Sequence, residues 1–436
     1  LRPGFLSQTD NPHAFTVKDK DYKIDLDLKL KQEVALTKSS SEDEKGTSIA
    51  SASFIVRAKL GGHLGASSIL DNRLLLGSAA YNPYQNEISD SFSGFLEGES
   101  RTMTSTETYG VLDFPWLAIQ WGIERMWWGP GRHGALMLSD NAAPADTFKL
   151  SGLYGPFRYT YLTSILRAKQ NIFDEYYPKY MSAHRLEFLP YQGISVGINE
   201  AMVFVERYDL RYLHPLLAFV TSQVGDFRSN NLLGFDVDIT LLPSIELYTE
   251  VMVDDFQTSD GFKAFRLWNS KYGALVGGYW VDPFGLKDTD IRVEYVFVNQ
   301  YAYTRTWEDF RTEYTNEGFA IGHWMGPDAD DLWFDVKHWL TDDFRFSLTY
   351  ERERQGEGDV TKRFPFVGGT APEVNWEFLS GTAESTHSFS AGLAYVSIGK
   401  WLADIGYTYS QIRNVDHESG IDGKRHQVVI KAEHRL

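Results

Sequence analysis

The feature that most limits what this chain can fold into is a two-residue alternation that recurs along most of its length without lengthening into an apolar run. Tyr22, Ile24, Leu26, Leu28 and Leu30 fall on one face of an extended segment, and Lys23, Asp25, Asp27, Lys29 and Lys31 on the other. The pattern returns at Leu117, Ile119, Trp121 and Ile123, interleaved with Ala118, Gln120, Gly122 and Glu124. No window approaches the roughly 18 to 20 consecutive apolar residues of a spanning helix. Any membrane passage must therefore be made by strands that are apolar on one side only.

The rest of the chain keeps this rhythm. Strands are expected near 51–64, 148–154, 158–166, 183–189 and 195–203, then at 233–241, 244–253, 272–280, 291–298, 333–340, 344–351, 388–396, 402–410 and 427–435. Short turns such as Gly155-Pro156, Leu242-Pro243 and Thr341-Asp342-Asp343 alternate with long connections at 302–331 and 357–386. Short turns on one end and long loops on the other are the asymmetry of an all-β transmembrane antiparallel barrel, here of about 16 to 18 strands. The expectation is one barrel over residues 1–436 with two irregular insertions. The first, at 70–106, is rich in Gly, Ser and acids and reads as a loop or plug. The second, at 209–224, has the helical spacing Leu213, Leu216, Leu217 and Val220, with Pro215 set to kink or cap it.

Composition narrows the partners. Aromatics are 15% of residues while the mean hydropathy is only -0.32, a pairing that suits strands with one apolar face. A net charge of -17 excludes a phosphate-binding basic face, so no nucleic acid is expected. There is no cysteine, hence no disulfide framework and no thiolate metal site. Asp328, Asp330 and Asp331 crowd carboxylates near Gly326, but the ordered glycine and terminal glutamate of a calcium loop are missing, and no metal or cofactor is expected. The chain opens at Leu1 without a Met or an apolar signal region and reads as a processed export product.

One block carries a resemblance. ERMWWGPGRHGALMLSDNAAP, Glu124 to Pro144, resembles the tryptophan-glycine-proline segment and the Leu-Ser-Asn/Asp-Asn-Ala-Pro run of the Wzi family of capsule-assembly outer-membrane proteins. His184-Arg185-Leu186-Glu187, followed by Asn199-Glu200, is similar to a second block of that family. The overlap is best over 116–255. The resemblance implies an 18-stranded outer-membrane barrel, closed by helical elements at one end and long loops at the other, that serves as a lectin-like, non-catalytic anchor for exported polysaccharide. The alternatives are a porin-like channel for small solutes and a lipid-modifying enzyme. His133, Ser139 and Asp140 lie close together, yet Gly-x-Ser-x-Gly is absent and adjacency is not a triad, so no enzyme is expected. The implied partners are surface polysaccharide and outer-membrane lipid. A closed barrel has no edge strand and is expected to be monomeric.

The candidate saccharide contacts are Trp127, Trp128, Arg132, His133, Asp140 and Asn141, because indole faces stack on sugar C–H faces while polar groups bond hydroxyls. The tryptophans fit an interfacial aromatic belt at least as well, with the polar residues fixing a corner at the membrane boundary. Trp307, Trp324 and Trp376, on long connections, form a competing surface for which ordinary loop packing is the plainer role.

Overall fold

The computed structural model describes residues 13–40, 43–78, 80–84, 95–96, 100–167, 178–219, 229–255, 270–304, 312–361, 377–397 and 401–436. Among them, 18 strands form the wall: β1 (Tyr22–Ser39), β2 (Lys45–Leu60), β3 (Leu64–Gly77), β4 (Ser100–Asp113), β5 (Leu117–Glu124), β6 (Ala145–Tyr154), β7 (Phe157–Leu166), β8 (Lys179–Tyr191), β9 (Ile194–Val205), β10 (Ser229–Leu242), β11 (Ile245–Asp255), β12 (Lys271–Val281), β13 (Thr289–Val298), β14 (Ala329–Trp339), β15 (Phe344–Gln355), β16 (Glu384–Ser397), β17 (Trp401–Arg413) and β18 (Gly423–Arg435). Each pairs antiparallel with its neighbours in sequence, and β18 returns to β1 in the register Lys29↔Arg435 through Ser39↔Arg425, which closes the barrel. A short strand, Phe15–Lys18, pairs with the foot of β1.

Alternation sets the wall's two surfaces. Leu30, Leu36, Phe54, Ile198, Leu233 and Ile430 point outward and are exposed, while Glu33, Arg73, Arg185 and Asp236 point into the lumen and are buried. The lumen charges are paired, within a strand by Lys31 on Glu33 at 2.7 Å and between strands by Arg435 on Asp27 at 2.6 Å and Lys149 on Glu124 at 2.7 Å. Pairing matters here because an isolated charge away from bulk water is costly. At the chain's end, His434 interrupts the apolar series without breaking the face, since its ring stacks on Trp401 with centroids 4.0 Å apart.

Two stretches differ from expectation. Residues 70–106 are not irregular throughout: β3 runs to Gly77 and β4 starts at Ser100. These strands escape a hydropathy pattern because Ser68, Asn72, Thr102, Thr104 and Thr108 are set among the outward leucines, and across the pair Ser68 bonds Thr108 at 2.7 Å and the Thr104 hydroxyl donates to Asn72 at 2.9 Å. Between them, the described residues 80–84 turn inward, where the Tyr81 and Tyr84 hydroxyls donate to Glu33 and the Arg73 guanidinium lies 3.9 Å from the Tyr84 ring.

Within the described part of the stretch 209–224, residues 210–213 form a 3-10 turn, Leu210–Leu213, capped by Asp209. His214 is extended, as expected of a residue that precedes proline, so the helix stops there. The stretch's described residues, 209–219, lie outside the lumen. Tyr212 and Phe219 pack on Tyr161, Met202 and Phe204, and those three side chains share the outward parity of Ile198 and Ile165. Residues 206–219 are thus a strap laid over the outside of β7–β9, and residues 220–224 lie outside the described residues.

Candidate functional site

The lumen is entered by the loop after β5, residues 125–144, which is the stretch singled out by its Trp-Trp-Gly-Pro-Gly sequence. Its strands come from the same end of the barrel as the other long loops. Trp128 donates its backbone N–H to the Leu138 carbonyl at 2.9 Å, pinching the segment between them into a closed lobe. Leu136, Met137 and Leu138 are fully buried against lumen-facing Met181, Ala183, Ala201, Val203, Met252 and Leu275. This cluster is the largest apolar core, and it lies inside the barrel.

Wall carboxylates hold the lobe by its backbone. Glu250 accepts from the N–H groups of Gly131 at 2.7 Å and Leu136 at 2.8 Å. Glu294 accepts from Arg132 at 2.8 Å and His133 at 3.0 Å, and also receives the Tyr248 hydroxyl at 2.8 Å. So close an approach explains a glycine: at Gly129, φ is +124° and a Cβ would stand 2.2 Å from the Glu250 carboxylate. A second loop, through its residues 299–304 and 312–328, covers the lobe. Tyr303 and Tyr314 donate to the carbonyls of Leu136 and Met137 at 2.7 and 2.8 Å. The Ser139 hydroxyl donates to Gly322 at 2.6 Å, and the Asn141 amide to Ala320 at 2.8 Å.

The predicted residues therefore separate. Trp127 and Trp128 do not sit in a lipid-facing belt. They face the lumen and, with Lys149, Arg158, Thr160, Arg185 and Glu187, line a cavity of about 300 Å³. Arg132 bonds Glu246 at 2.7 Å, and the His133 ring lies parallel to Trp333, 4.9 Å away, with Nε2 2.9 Å from Glu351. Asn141 is scaffold, and Asp140 is exposed with its carbonyl accepting from Arg125 at 3.2 Å. Trp324 is half-buried and meets His133 edge-on. Trp307 and Trp376 lie outside the described residues. The aspartates also diverge: Asp328 is buried under the N–H groups of Gly358 and Ser380, Asp330 pairs with Arg354 on the outer face, and Asp331 faces the lumen. They form no common calcium loop.

Two histidines of the lobe contact titrate in opposite senses. Burial alone would push the His133 imidazole down, but the hydrogen bond and charge of Glu351, with Asp331 and Glu294 behind it, hold it above its usual value. His323 has no such carboxylate partner, and burial, with His133 nearby, pushes it down to about 3.

Sequence reasoning missed Glu250, Glu294, Tyr303 and Tyr314. A signal existed in Ala201-Met-Val-Phe-Val205, which is apolar on both parities. Ala201 and Val203 pack on the lobe inside, and Met202 and Phe204 under the strap outside.

Closed antiparallel walls of 18 strands with inward-folded loops define a class, the large outer-membrane barrels. Within that class the family is settled by sequence: the model of the capsule assembly protein Wzi matches residues 40–427, and the chain belongs to that family. Among solved structures, it is similar to the Escherichia coli Wzi barrel, described as a carbohydrate-binding outer-membrane protein involved in group 1 capsule assembly, at 17% identity and a TM-score of 0.55, covering 91% of this chain and 83% of that one. It is also similar in fold to Pseudomonas aeruginosa OccK7, at 9% identity and a TM-score of 0.51 over 96% and 99% of the two chains. Acinetobacter baumannii OccAB1 is alike at 7% identity and a TM-score of 0.51 over 95% and 97%. No individual curated protein sequence matches the chain.

Proposed function

We propose that this outer-membrane capsule-assembly barrel binds surface polysaccharide without covalent chemistry, with its long loops outside and its short turns in the periplasm. The observation that carries this reading is the cavity at Trp127 and Trp128. An indole beside paired, immobile charges offers a sugar ring both a stacking face and fixed hydroxyl partners. Arg185 is held by Asp236 at 2.5 Å and by Asn199, and Arg158 by Glu187 at 3.1 Å, so the polar groups are set before a ligand arrives. Two carboxylates clamping the lobe favour a filled lumen over a porin-like passage.

The experiment is retention of the purified barrel on immobilised surface glycan, with W127A and W324A compared to wild type. W127A is expected to lose retention at least tenfold, as for a lost stacking contact of roughly 1.5 kcal/mol. W324A, at a residue that packs on the lobe core beside His133 and His323 and does not line the cavity, is expected to retain most of it. Equal retention by W127A and wild type would sink the cavity assignment, and a large steady conductance in planar bilayers would sink the plugged-barrel reading.

A further inference from the structure

Between the lobe and the wall, three potential ligand atoms converge without a structural role that accounts for all of them. His133 Nε2 comes from the lobe, Asp331 from β14 and Glu351 from β15, and their ligand atoms all lie within 4.8 Å of one another. Nε2 is 2.9 Å from Glu351 Oε1 and 3.9 Å from Asp331 Oδ2. The imidazole is aimed before any ligand arrives: its backbone N–H is tied to Glu294, one ring face lies on Trp333, and Trp324 closes it edge-on.

Two further facts call for a cation. Asp331 is 1% exposed and its Oδ1 has no hydrogen-bond partner among the described residues, a costly state for a carboxylate. The surroundings are also acidic, since Glu353 stands opposite Asp331 in the β14–β15 register and Glu294 lies on the next strand. One imidazole thus faces four carboxylates.

We propose that His133, Asp331 and Glu351 form a divalent-cation site that fastens the lobe to the barrel wall. One nitrogen and two carboxylate oxygens suit Zn²⁺ or Mn²⁺ better than Ca²⁺ or Mg²⁺, which prefer all-oxygen shells. Ligand bonds of about 2.0–2.2 Å place neighbouring ligand atoms roughly 3.4 Å apart, so Asp331 must move inward and the His133–Glu351 contact must open slightly. Three protein ligands leave the remaining coordination positions to water. The site does not depend on the saccharide reading, and neither one's failure overturns the other.

The test uses the full barrel, purified folded in detergent, stripped with EDTA and then dialysed against Zn²⁺ or Mn²⁺ at tens of micromolar. Bound metal per chain is read by atomic emission. One ion per wild-type chain is expected, with at least a tenfold weaker affinity in both H133Q and E351Q. Migration of unboiled protein on gels checks that each variant is folded, and H133Q, a loop change, decides the matter if E351Q does not fold. Wild type that binds neither metal, or that binds no more than folded H133Q, overturns the site and leaves a simple imidazolium–carboxylate contact.

Discussion

Replacing Glu250 with alanine tests the claim that the lobe is held in the lumen by its backbone. Glu250 is buried and receives two N–H groups, from Gly131 and Leu136, at 2.7 and 2.8 Å. Alanine leaves both donors buried without an acceptor, at roughly 1–3 kcal/mol each. Relief of the carboxylate's own desolvation and entry of water offset part of this, so the net cost is about 2–4 kcal/mol. Because none of Glu250's backbone pairing in the wall changes, the loss falls on the lobe. At 1.4 kcal/mol per tenfold, the displaced state rises roughly 30- to 700-fold. Single-channel recording should show it as more frequent openings in E250A than in wild type, with E250Q between them because its amide keeps one acceptor oxygen. Unboiled gel migration would confirm an intact barrel. If folded E250A opens no more often than wild type, the carboxylate clamp does not hold the lobe and the reasoning fails.

Other changes probe neighbouring contacts. Gly134→Ala would put a Cβ 2.3 Å from the His323 ring and should cost about 1–3 kcal/mol by overpacking, visible as a lower thermal midpoint for lobe release. Acid should weaken the lobe through His323: with a folded value of about 3 against 6.5, the unfolded chain takes up a proton that the folded chain refuses, so stability falls by about 1.4 kcal/mol per pH unit as pH drops through that window. His133, raised in the folded state, contributes fully below 6.5 and loses its contribution only as pH rises, so it does not cancel the acid slope, and H323N should flatten the pH profile of openings between pH 4 and 6. Phe219→Ala should free the outer strap at about 3–5 kcal/mol, read as faster proteolysis within residues 206–219 while barrel migration on gels is unchanged.

How much of this was legible in the sequence follows from what alternation can report. A period of two shows a wall that is wet on one side and greasy on the other, and where that held, as at Leu117 to Glu124, the strand and its outward face were readable from the residues. It fails where both faces are alike. In β4 the outward face is mostly threonine, and in β3 Ser68 and Asn72 interrupt the outward leucines while Ile69 and Leu75 put apolar residues on the inward face, so the alternation blurred and these two strands were hidden. In β9 both faces are apolar, because the lumen there is filled by protein. An apolar inner face on a barrel strand is therefore evidence of a plug at that height, and Ala201 and Val203 carried that signal, which the strand reading of 195–203 passed over. What no local pattern could supply is which loop fills the space. The Trp-Gly-Pro-Gly stretch and its clamp Glu250 lie 119 residues apart, at Gly131 and Glu250, and meet only because the wall closes. The glycines required by that meeting also made the block recognisable as a family signature. What looked like a corner at the membrane edge is the part of the chain most constrained by the barrel's interior.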